Sequence, residues 1–336
     1  MGFVKTTHNA SHPARELPIR PFDVRTDMMA VSDLVETCFA ERLSPDGRAL
    51  LQKMRSSARS KHFQRWAYSM AGRISMPFTG FVWVEGEEII GNLSLIPYHL
   101  ARRNYYMIAN VAVHPDRQRQ GIGRALLRRA LDFLKSKDLD GIWLQVEDSN
   151  HGAVELYLGE GFQERSRRTT WILDPGQEQT AWSSPAEGNL RILYRRPGHW
   201  KDQRRWLEKS YPPEVRWHLP LKLSYLRGGL WGALTHLFLA VPPVQHWSVV
   251  DEHRLKGVFT WQKSKTHADW LWIASPPEGE GDLLDAFVPH WLRYEESRRP
   301  LRVNYPHGQA NQSLLIRGFK PTRTLIWMEY QGRQGT

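Results

Sequence analysis

A polar turn with two glycines joins a strand pattern to a helix pattern between Val111 and Leu126. The apolar strand pattern stops at Pro115, and Gly121 and Gly123 stand at the start of a run with helical spacing of apolar residues. Glycine lacks a Cβ atom, so the backbone can turn sharply there and approach a ligand closely. The first turn of a helix leaves N–H groups unpaired and carries the positive end of the helix dipole. The turn therefore predicts a bound anion, most simply a phosphate or pyrophosphate.

Two familiar phosphate loops do not fit this turn. A Walker loop needs Lys and then Ser or Thr after its last glycine, whereas Arg124 and Ala125 follow Gly123. A dinucleotide fingerprint needs a third glycine where Leu126 stands. A Gly-x-Gly pair alone is weak evidence, because most such pairs are ordinary turns. A second motif further along the chain supplies the missing context.

The second motif begins at Asn150 and ends at Phe162 with Gly-Phe. The pattern Gln-x-x-Gly-x-Gly that starts at Gln118 resembles motif A of the GNAT acetyltransferase superfamily. The pattern Asn-x-x-Ala-x-x-Leu-Tyr-x-x-x-Gly-Phe from Asn150 resembles motif B of that superfamily. The resemblance is strong from about Phe81 to Leu173, and it implies an acyltransferase that uses acetyl-CoA as its donor.

The resemblance also implies a role for each matched position. Backbone amides of the turn would hold the pyrophosphate, and they belong to Gln118, Arg119, Gln120, Gly121, Ile122, Gly123 and Arg124. The strand backbone at Val111, Ala112 and Val113 would pair with the pantetheine arm, and one of its N–H groups would donate to the oxyanion. Asn150 would hydrogen-bond the arm further along. Tyr157 would sit near the sulfur as the general acid.

The general base is less clear from the sequence. Many relatives carry a glutamate two residues before the position of Val111, where this chain has Ala109. Glu147, at the end of the next predicted strand, is a candidate base. A solvated surface carboxylate is the competing interpretation of Glu147, and a chain of ordered waters could carry the proton instead.

The second half of the chain repeats the order of predicted elements found in the first half. Gly-Phe recurs at Gly318, and on this alignment Leu314 stands in the place of Tyr157. Acidic residues crowd the corresponding glycine turn and would repel a pyrophosphate: Glu278, Glu280 and Asp282. An unrelated α/β domain is the alternative. We therefore predict an α/β chain with mixed sheets, built from two GNAT-like domains in tandem, of which the second is degenerate.

Composition shifts predict the domain boundaries. Residues 1–16 read as a flexible arm and residues 17–174 as the catalytic GNAT domain. Residues 175–189 are rich in Pro, Gly, Ser, Glu and Gln, which indicates a linker. Residues 190–336 would form the degenerate domain.

Composition also limits the partners and the compartment. The single cysteine, Cys38, allows no intramolecular disulfide and suits the cytoplasm. The most apolar stretch, 228–244, is too short to span a bilayer, so we expect a buried helix and no membrane. The net charge is +11, but the arginines are spread along the chain, so we expect no nucleic acid. The 14 histidines show no metal-binding spacing, so we expect no metal.

The acceptor cannot be deduced from these residues, so its class is a hypothesis. We expect an N-acetyltransferase that acts on a small-molecule amine. One alternative is an acyl-CoA sensor that has lost catalysis, and another is a protein or peptide N-terminal acetyltransferase. The substrate itself and the oligomeric state are not predicted.

Overall fold

The computed structural model describes residues 18–41, 43–100, 103–175, 190–227, 244–276, 279–294 and 299–332. The strands within these ranges are β1 (Ile19–Pro21), β2 (Thr79–Glu85), β3 (Glu88–Leu100), β4 (Arg103–Val113), β5 (Gly141–Glu147), β6 (Phe162–Leu173), β7 (Leu190–Tyr194), β8 (Val244–Asp251), β9 (Arg254–Gln262), β10 (Asp269–Ala274), β11 (Leu301–Pro306) and β12 (Lys320–Tyr330). The helices are α1 (Met28–Phe39), α2 (Pro45–Ala58), α3 (Lys61–Met70), α4 (Ile122–Lys135), α5 (His151–Gly159), α6 (Trp200–Ser210), α7 (Pro213–Arg216), α8 (Leu223–Leu226), α9 (Glu280–Tyr294) and α10 (Asn311–Ile316). The predicted arm at 1–16, nearly all of the predicted linker at 175–189, and the predicted helix at 228–244 apart from its last residue lie outside the described residues.

The chain divides into two compact units whose boundaries differ from those of the predicted domains. The first unit comprises Met1–Arg42, Leu51–Ile96 and Ala109–Lys137, and the second comprises Leu43–Leu50, Pro97–Ile108 and Asp138–Thr336. The tandem boundaries at 17–174 and 190–336 stay a prediction.

The first unit holds the strand order β1-β2-β3 followed by the Ala109–Val113 end of β4. Strands β2 and β3 form a hairpin, with Glu85 opposite Glu88 at its turn. Helix α4 packs closely on this sheet because Gly91 has no side chain. A Cβ atom there would come within 3.0 Å of Ile122 and 3.1 Å of Leu126.

Helices α1 and α3 of the first unit share a small apolar core. Its buried members are Val24, Met28, Ala58, Ala67 and Phe78.

The second unit contains a mixed sheet that combines strands from both halves of the sequence. Its order is the Arg103–Ile108 part of β4, then β5-β12-β6-β11-β10-β9-β8-β7. The pairs β4–β5 and β10–β11 are parallel, and the other recorded pairs in this sheet are antiparallel. The two parallel pairs therefore lie on either side of β12 and β6: β4–β5 lies beyond β12, and β10–β11 lies beyond β6.

The two halves exchange strands at the centre of this sheet. Strand β12, from the end of the chain, lies between β5 and β6, with Trp327 opposite Gln145 of β5 and Ser166 of β6. Strand β6 in turn lies between β12 and β11. Two complete sheets in tandem would pair the strand at 324–330 within the second half of the chain, whereas β12 pairs with two strands of the first half. An antiparallel strand pairs with whichever free edge the tertiary fold presents, and no local pattern encodes that edge.

A large apolar core supports the second unit around β8 to β11. It includes the fully buried rings of Trp272, Trp291, Tyr305 and Phe319. Helices α6, α7 and α8, which the sequence reading did not predict, add Leu207, Val215 and Leu226 to the unit's buried core. Among the described residues, no helix is both long and apolar enough to cross a bilayer.

Candidate active site

The glycine turn lies in the first unit, where the end of β4 passes into α4. A 3-10 turn over Pro115–Arg117 follows the strand, and Gly121 is the N-cap residue of α4 with a φ of 82°. Arg119 also has a positive φ, of 63°. The first helical hydrogen bond runs from the Ala125 N–H to the Gly121 carbonyl at 3.0 Å. The N–H groups before Ala125 stand in the first turn, where a helix supplies no partner of its own.

The surroundings of this turn fit a pyrophosphate. A Cβ atom built on Gly121 would meet nothing within 4 Å, so the space beside the helix N-terminus is open. The exposed side chains of Arg117, Arg119 and Arg124 make the turn basic, and Arg117 also pairs with Glu85 at 3.1 Å. An open, positively charged helix N-terminus can hold a phosphate through backbone N–H groups.

The backbone of β4 departs from regular strand geometry near its end, at Asn110. Asn110 has a φ of 50°, which is uncommon for a residue with a side chain. Its carbonyl accepts a hydrogen bond from Asn92 Nδ2 at 2.8 Å, and its own Nδ2 donates to Ser94 Oγ at 3.3 Å. Asparagine tolerates this left-handed conformation better than most residues, so its presence before Val111 was the available signal. This left-handed residue stands directly before the three residues expected to bind the pantetheine arm.

The carbonyl of Val113 already accepts hydrogen bonds from two protein donors. One is the Cys38 thiol at 3.3 Å, and the other is Gln118 Nε2 at 3.2 Å. Burial raises the pKa of Cys38, so this thiol acts as a structural donor. Val113 would therefore meet a ligand through its N–H group.

The second motif lies in the second unit and forms α5 as expected. Asn150 is the N-cap residue, and its Oδ1 accepts from the Ala153 N–H at 3.3 Å. The cap uses Oδ1, and the side chain also carries an Nδ2 donor. Asn150 thus has a structural role in addition to any role in ligand binding.

Tyr157 on α5 is buried, with 6% of its surface exposed. Its ring packs against Phe162 at a centroid distance of 6.0 Å. Burial raises the pKa of Tyr157 well above its ordinary value. A phenol of ordinary pKa is already protonated at neutral pH, so the shift keeps Tyr157 protonated and makes it a weaker acid.

Glu147 ends β5 in the same unit and lies opposite Leu325 of β12. Its carboxylate is close enough to Arg323 to raise the pKa of that residue, although desolvation is the larger influence and lowers it. The second unit therefore holds three predicted site residues, Glu147, Asn150 and Tyr157. The first unit holds Val111–Val113 and the glycine turn.

Trp217 and His218 pack on β5, and no sequence pattern predicted these contacts. Trp217 stacks on Tyr105 at 5.4 Å, and the Nδ1 of His218 lies 3.5 Å from Gln145 Nε2. Burial, helped by the charge of Arg323, lowers the pKa of His218 to about 4, so the ring is neutral at pH 7. Both residues come from the stretch that follows α7, and only the fold brings them to β5.

The second copy of the motifs carries different chemistry. Glu280 opens α9 with a buried carboxylate that accepts from the Tyr305 hydroxyl at 2.9 Å. A protein carboxylate thus stands at the helix N-terminus where the first copy would hold phosphate. Leu314, in the place of Tyr157, is fully buried in the core.

A buried arginine lies near the centre of the exchanged strands. Arg168 of β6 donates to Asn304 Oδ1 at 2.6 Å and to the Ser210 and Asn304 carbonyls at 2.9 Å. Burial lowers the pKa of Arg168 to about 10. These bonds hold strand β6 to β11 and to the end of α6.

Comparison with known proteins identifies part of the chain. Residues 48–162 match the Acetyltransferase (GNAT) family. The [Ribosomal protein bS18]-alanine N-acetyltransferase of Escherichia coli (strain K12) is 44% identical over 70 residues, which is 20% of this chain and 47% of that protein. N-acetyltransferase 8B of Rattus norvegicus is 34% identical over 89 residues, covering 25% of this chain and 40% of that protein. The chain thus spans less than half the length of these relatives.

The fold likeness extends much further than the sequence likeness. A GCN5-related N-acetyltransferase from Sphaerobacter thermophilus superposes with a TM-score of 0.57 at 14% identity, over 95% of this chain and 97% of that one. Residues 48–162 therefore match the Acetyltransferase (GNAT) family, and nearly the whole chain shares its fold with a GCN5-related N-acetyltransferase.

Proposed function

We propose that the chain is an N-acetyltransferase that moves an acetyl group from acetyl-CoA to the primary amine of a small molecule. The observation that carries the proposal is the open, basic N-terminus of α4 behind Gly121. Backbone N–H groups from Gln118 to Arg124 would hold the pyrophosphate, although that of Gln118 also donates to the Pro115 carbonyl at 3.3 Å. The backbone at Val111–Val113 would bind the pantetheine arm.

When bound, acetyl-CoA would supply a thioester whose C–S bond breaks as the amine nitrogen forms the new amide bond. An N–H group of Val111–Val113 would donate to the acyl oxygen, where negative charge develops. Tyr157 would donate its hydroxyl proton to the departing sulfur. A thiol has an ordinary pKa of about 8.5, below that of the Tyr157 phenol, so this proton transfer is uphill and would be driven by the departure of the neutral thiol.

The amine must lose a proton before it attacks. A lysine-like amine has a pKa of about 10.4, so reaching its neutral form at pH 7 costs on the order of 4–5 kcal/mol. Ala109 offers no carboxylate for this step. Glu147 is the residue that we propose for it.

The Tyr157→Phe variant tests the proposed acid. We expect kcat to fall by about 100-fold or more, because general acid catalysis contributes roughly 10²–10⁴-fold. The dissociation constant for CoA should stay unchanged in calorimetry, since the ring remains. Tyr330→Phe is the matched control, because Tyr330 packs on the same Phe162 ring at 5.3 Å. Equal kcat in the Tyr157→Phe and wild-type proteins would remove the acid role.

The Glu147→Gln variant tests the proposed base. We expect kcat/KM at pH 7 to fall at least about tenfold, with partial recovery as the pH rises and the free amine becomes abundant. A full pH profile from 6 to 10 measures this. An unchanged profile would assign the proton transfer to ordered water.

A protein N-terminal acetyltransferase is the second candidate. It is favoured by the name of the Escherichia coli relative, which acts on the alanine of a ribosomal protein. Release of free thiol from acetyl-CoA, measured with a panel of aminosugars and polyamines and with peptides that begin with alanine, separates the two. Turnover with peptides alone would replace the small-molecule proposal.

A further inference from the structure

Helix α3 lies in a stretch of the first unit that contains no acidic residue. From Leu51 to Val84 the chain has six lysines and arginines and neither Asp nor Glu. The whole chain has 35 acidic residues in 336, or about one in ten. The stretch therefore has a net charge of +6 and no carboxylate of its own, although lysines and arginines are as frequent in other parts of the chain.

Most of these cations have no protein counter-ion. Arg55 pairs with Asp33 and Glu36 at 2.6 and 2.5 Å. The others make no ion pair with any carboxylate in the described ranges, and they are all exposed: Lys53, Arg59, Lys61, Arg65 and Arg73. A cluster of unpaired cations attracts polyanions through its summed field.

The outer surface of α3 arranges this charge in stripes. Lys61, Arg65 and Tyr68 follow one another at i, i+4 and i+7, and so share one side of the helix. His62 and Trp66 form a neighbouring pair at i and i+4. The opposite side is anchored by Ala67, which is fully buried. We call the five outward residues the α3 face.

Two aromatic rings of the α3 face are exposed to solvent. Trp66 is 48% exposed and Tyr68 is 54% exposed. The Trp66 ring packs against the Phe63 ring at a centroid distance of 5.5 Å. It also contacts the Phe78 ring in a T-shaped arrangement at 6.1 Å. The Arg25 guanidinium lies 4.1 Å from the centre of the Tyr68 ring. These contacts hold the rings in place, and about half of each side chain stays exposed.

We propose that the α3 face binds single-stranded nucleic acid, with phosphates at Lys61 and Arg65 and bases stacked on Trp66 and Tyr68. Cations that follow the backbone and rings that stack on bases are the two parts of such sites. This site is independent of the proposed acetyl transfer, and it departs from the sequence-based expectation of no nucleic acid.

Two other partners fit the same surface less well. An acidic peptide would use the cations but would have no need of two exposed rings. A membrane surface would accept Trp66 and the cations, but an interfacial helix also needs a broad apolar face, and the other apolar residues of α3 are buried or half-buried: Phe63, Ala67 and Met70.

The test is fluorescence anisotropy of the full chain with a labelled 12-mer of oligouridylate. We expect binding at 50 mM salt, with a log–log salt slope of about −1.4, since each of the two phosphate contacts on a single strand contributes about −0.7. Lys61→Glu with Arg65→Glu should weaken binding at least about tenfold. Trp66→Leu and Tyr68→Leu should each weaken it several-fold without a change in the salt slope, because stacking releases no counter-ions.

The matched control is Arg205→Glu with Lys209→Glu on α6. Arg205 and Lys209 are exposed and stand four residues apart. Their replacement by glutamate changes the net charge by as much as the Lys61→Glu and Arg65→Glu pair does. Their variant should bind oligouridylate like the wild type. CoA calorimetry and thermal melting confirm that each variant is folded.

Several results would overturn the proposal. Absence of oligouridylate binding to the wild type is one, and equal weakening in the α6 control variant is another. Labelled polyglutamate that binds as tightly as oligouridylate, with no effect of Trp66→Leu or Tyr68→Leu on either probe, would assign the surface to an acidic protein. Binding to phosphatidylcholine–phosphatidylglycerol vesicles in preference to oligouridylate would assign it to a membrane surface.

Discussion

Removal of residues 320–336 is expected to abolish cooperative folding of the second compact unit. The deletion takes away β12, which pairs with β5 over Leu325–Glu329 and with β6 over Lys320–Tyr330. It also removes the buried side chains of Ile326, Trp327 and Met328. Each such side chain contributes roughly 1.5–3 kcal/mol, and two unpaired strand edges would be left open to aggregation. Circular dichroism during thermal unfolding, together with the soluble yield, measures the loss.

Two comparisons make this result specific to the exchanged strand. A chain that ends at residue 332, just beyond β12, should melt like the full chain. Trp327→Ala should lower the free energy of unfolding by about 3–5 kcal/mol without removing the strand. A chain that ends at residue 319 and melts cooperatively at the full chain's temperature would contradict the exchange.

The same exchange predicts how the separated halves behave. Residues 17–174 alone should be poorly soluble, because β5 and β6 would each lack the partner β12. Co-expression with residues 190–336 should restore a soluble complex, since that fragment supplies β11 and β12. A soluble 17–174 fragment that binds CoA by itself would instead support an independent first domain.

The Gly121→Glu variant is expected to abolish CoA binding. Gly121 has a φ of 82° and open space around its missing Cβ, so a glutamate meets no steric clash. Backbone strain costs about 1–2 kcal/mol for a residue with a side chain in this conformation. A carboxylate about 5 Å from a pyrophosphate adds on the order of 3 kcal/mol of repulsion. Calorimetry with CoA should show a dissociation constant raised by about 100-fold or more.

Gly308→Glu is the matched control for this variant. Gly308 has a φ of 84° and also meets nothing within 4 Å of a built Cβ, so strain and charge change alike. Its CoA affinity should equal that of the wild type. Gly121→Ala separates strain from charge, and it should weaken CoA less than tenfold.

The Gly279→Glu variant tests whether the second half of the chain binds the coenzyme. A Cβ atom there would lie 3.1 Å from Pro276, so we expect some loss of stability. CoA affinity should not change, because Glu280 already occupies the start of α9. Loss of CoA binding in this variant, with the wild-type affinity retained in Gly121→Glu, would move the coenzyme site to the second half.

Local features of the site were predictable because they depend on neighbours in the sequence. The glycines at 121 and 123 marked the turn, and Asn150 marked the start of α5, where it is the N-cap residue. The left-handed conformation of Asn110 was not predicted, because a single residue in a strand pattern gives a weak signal. The positions of Trp217 and His218 on β5 were missed because the contact joins residues far apart in the chain.

The strand–turn–helix order around the phosphate-type turn and the acidic residues in the second copy of that turn follow from the amino-acid sequence alone, since spacing and residue type decide them within a few positions. The exchange of β6 and β12, the burial of Arg168 among neutral acceptors and the outward rings of α3 were decided by the tertiary structure. Strand pairing and burial depend on which surfaces meet after the chain has folded. A local pattern specifies that a strand forms, whereas the fold selects the edge on which it pairs.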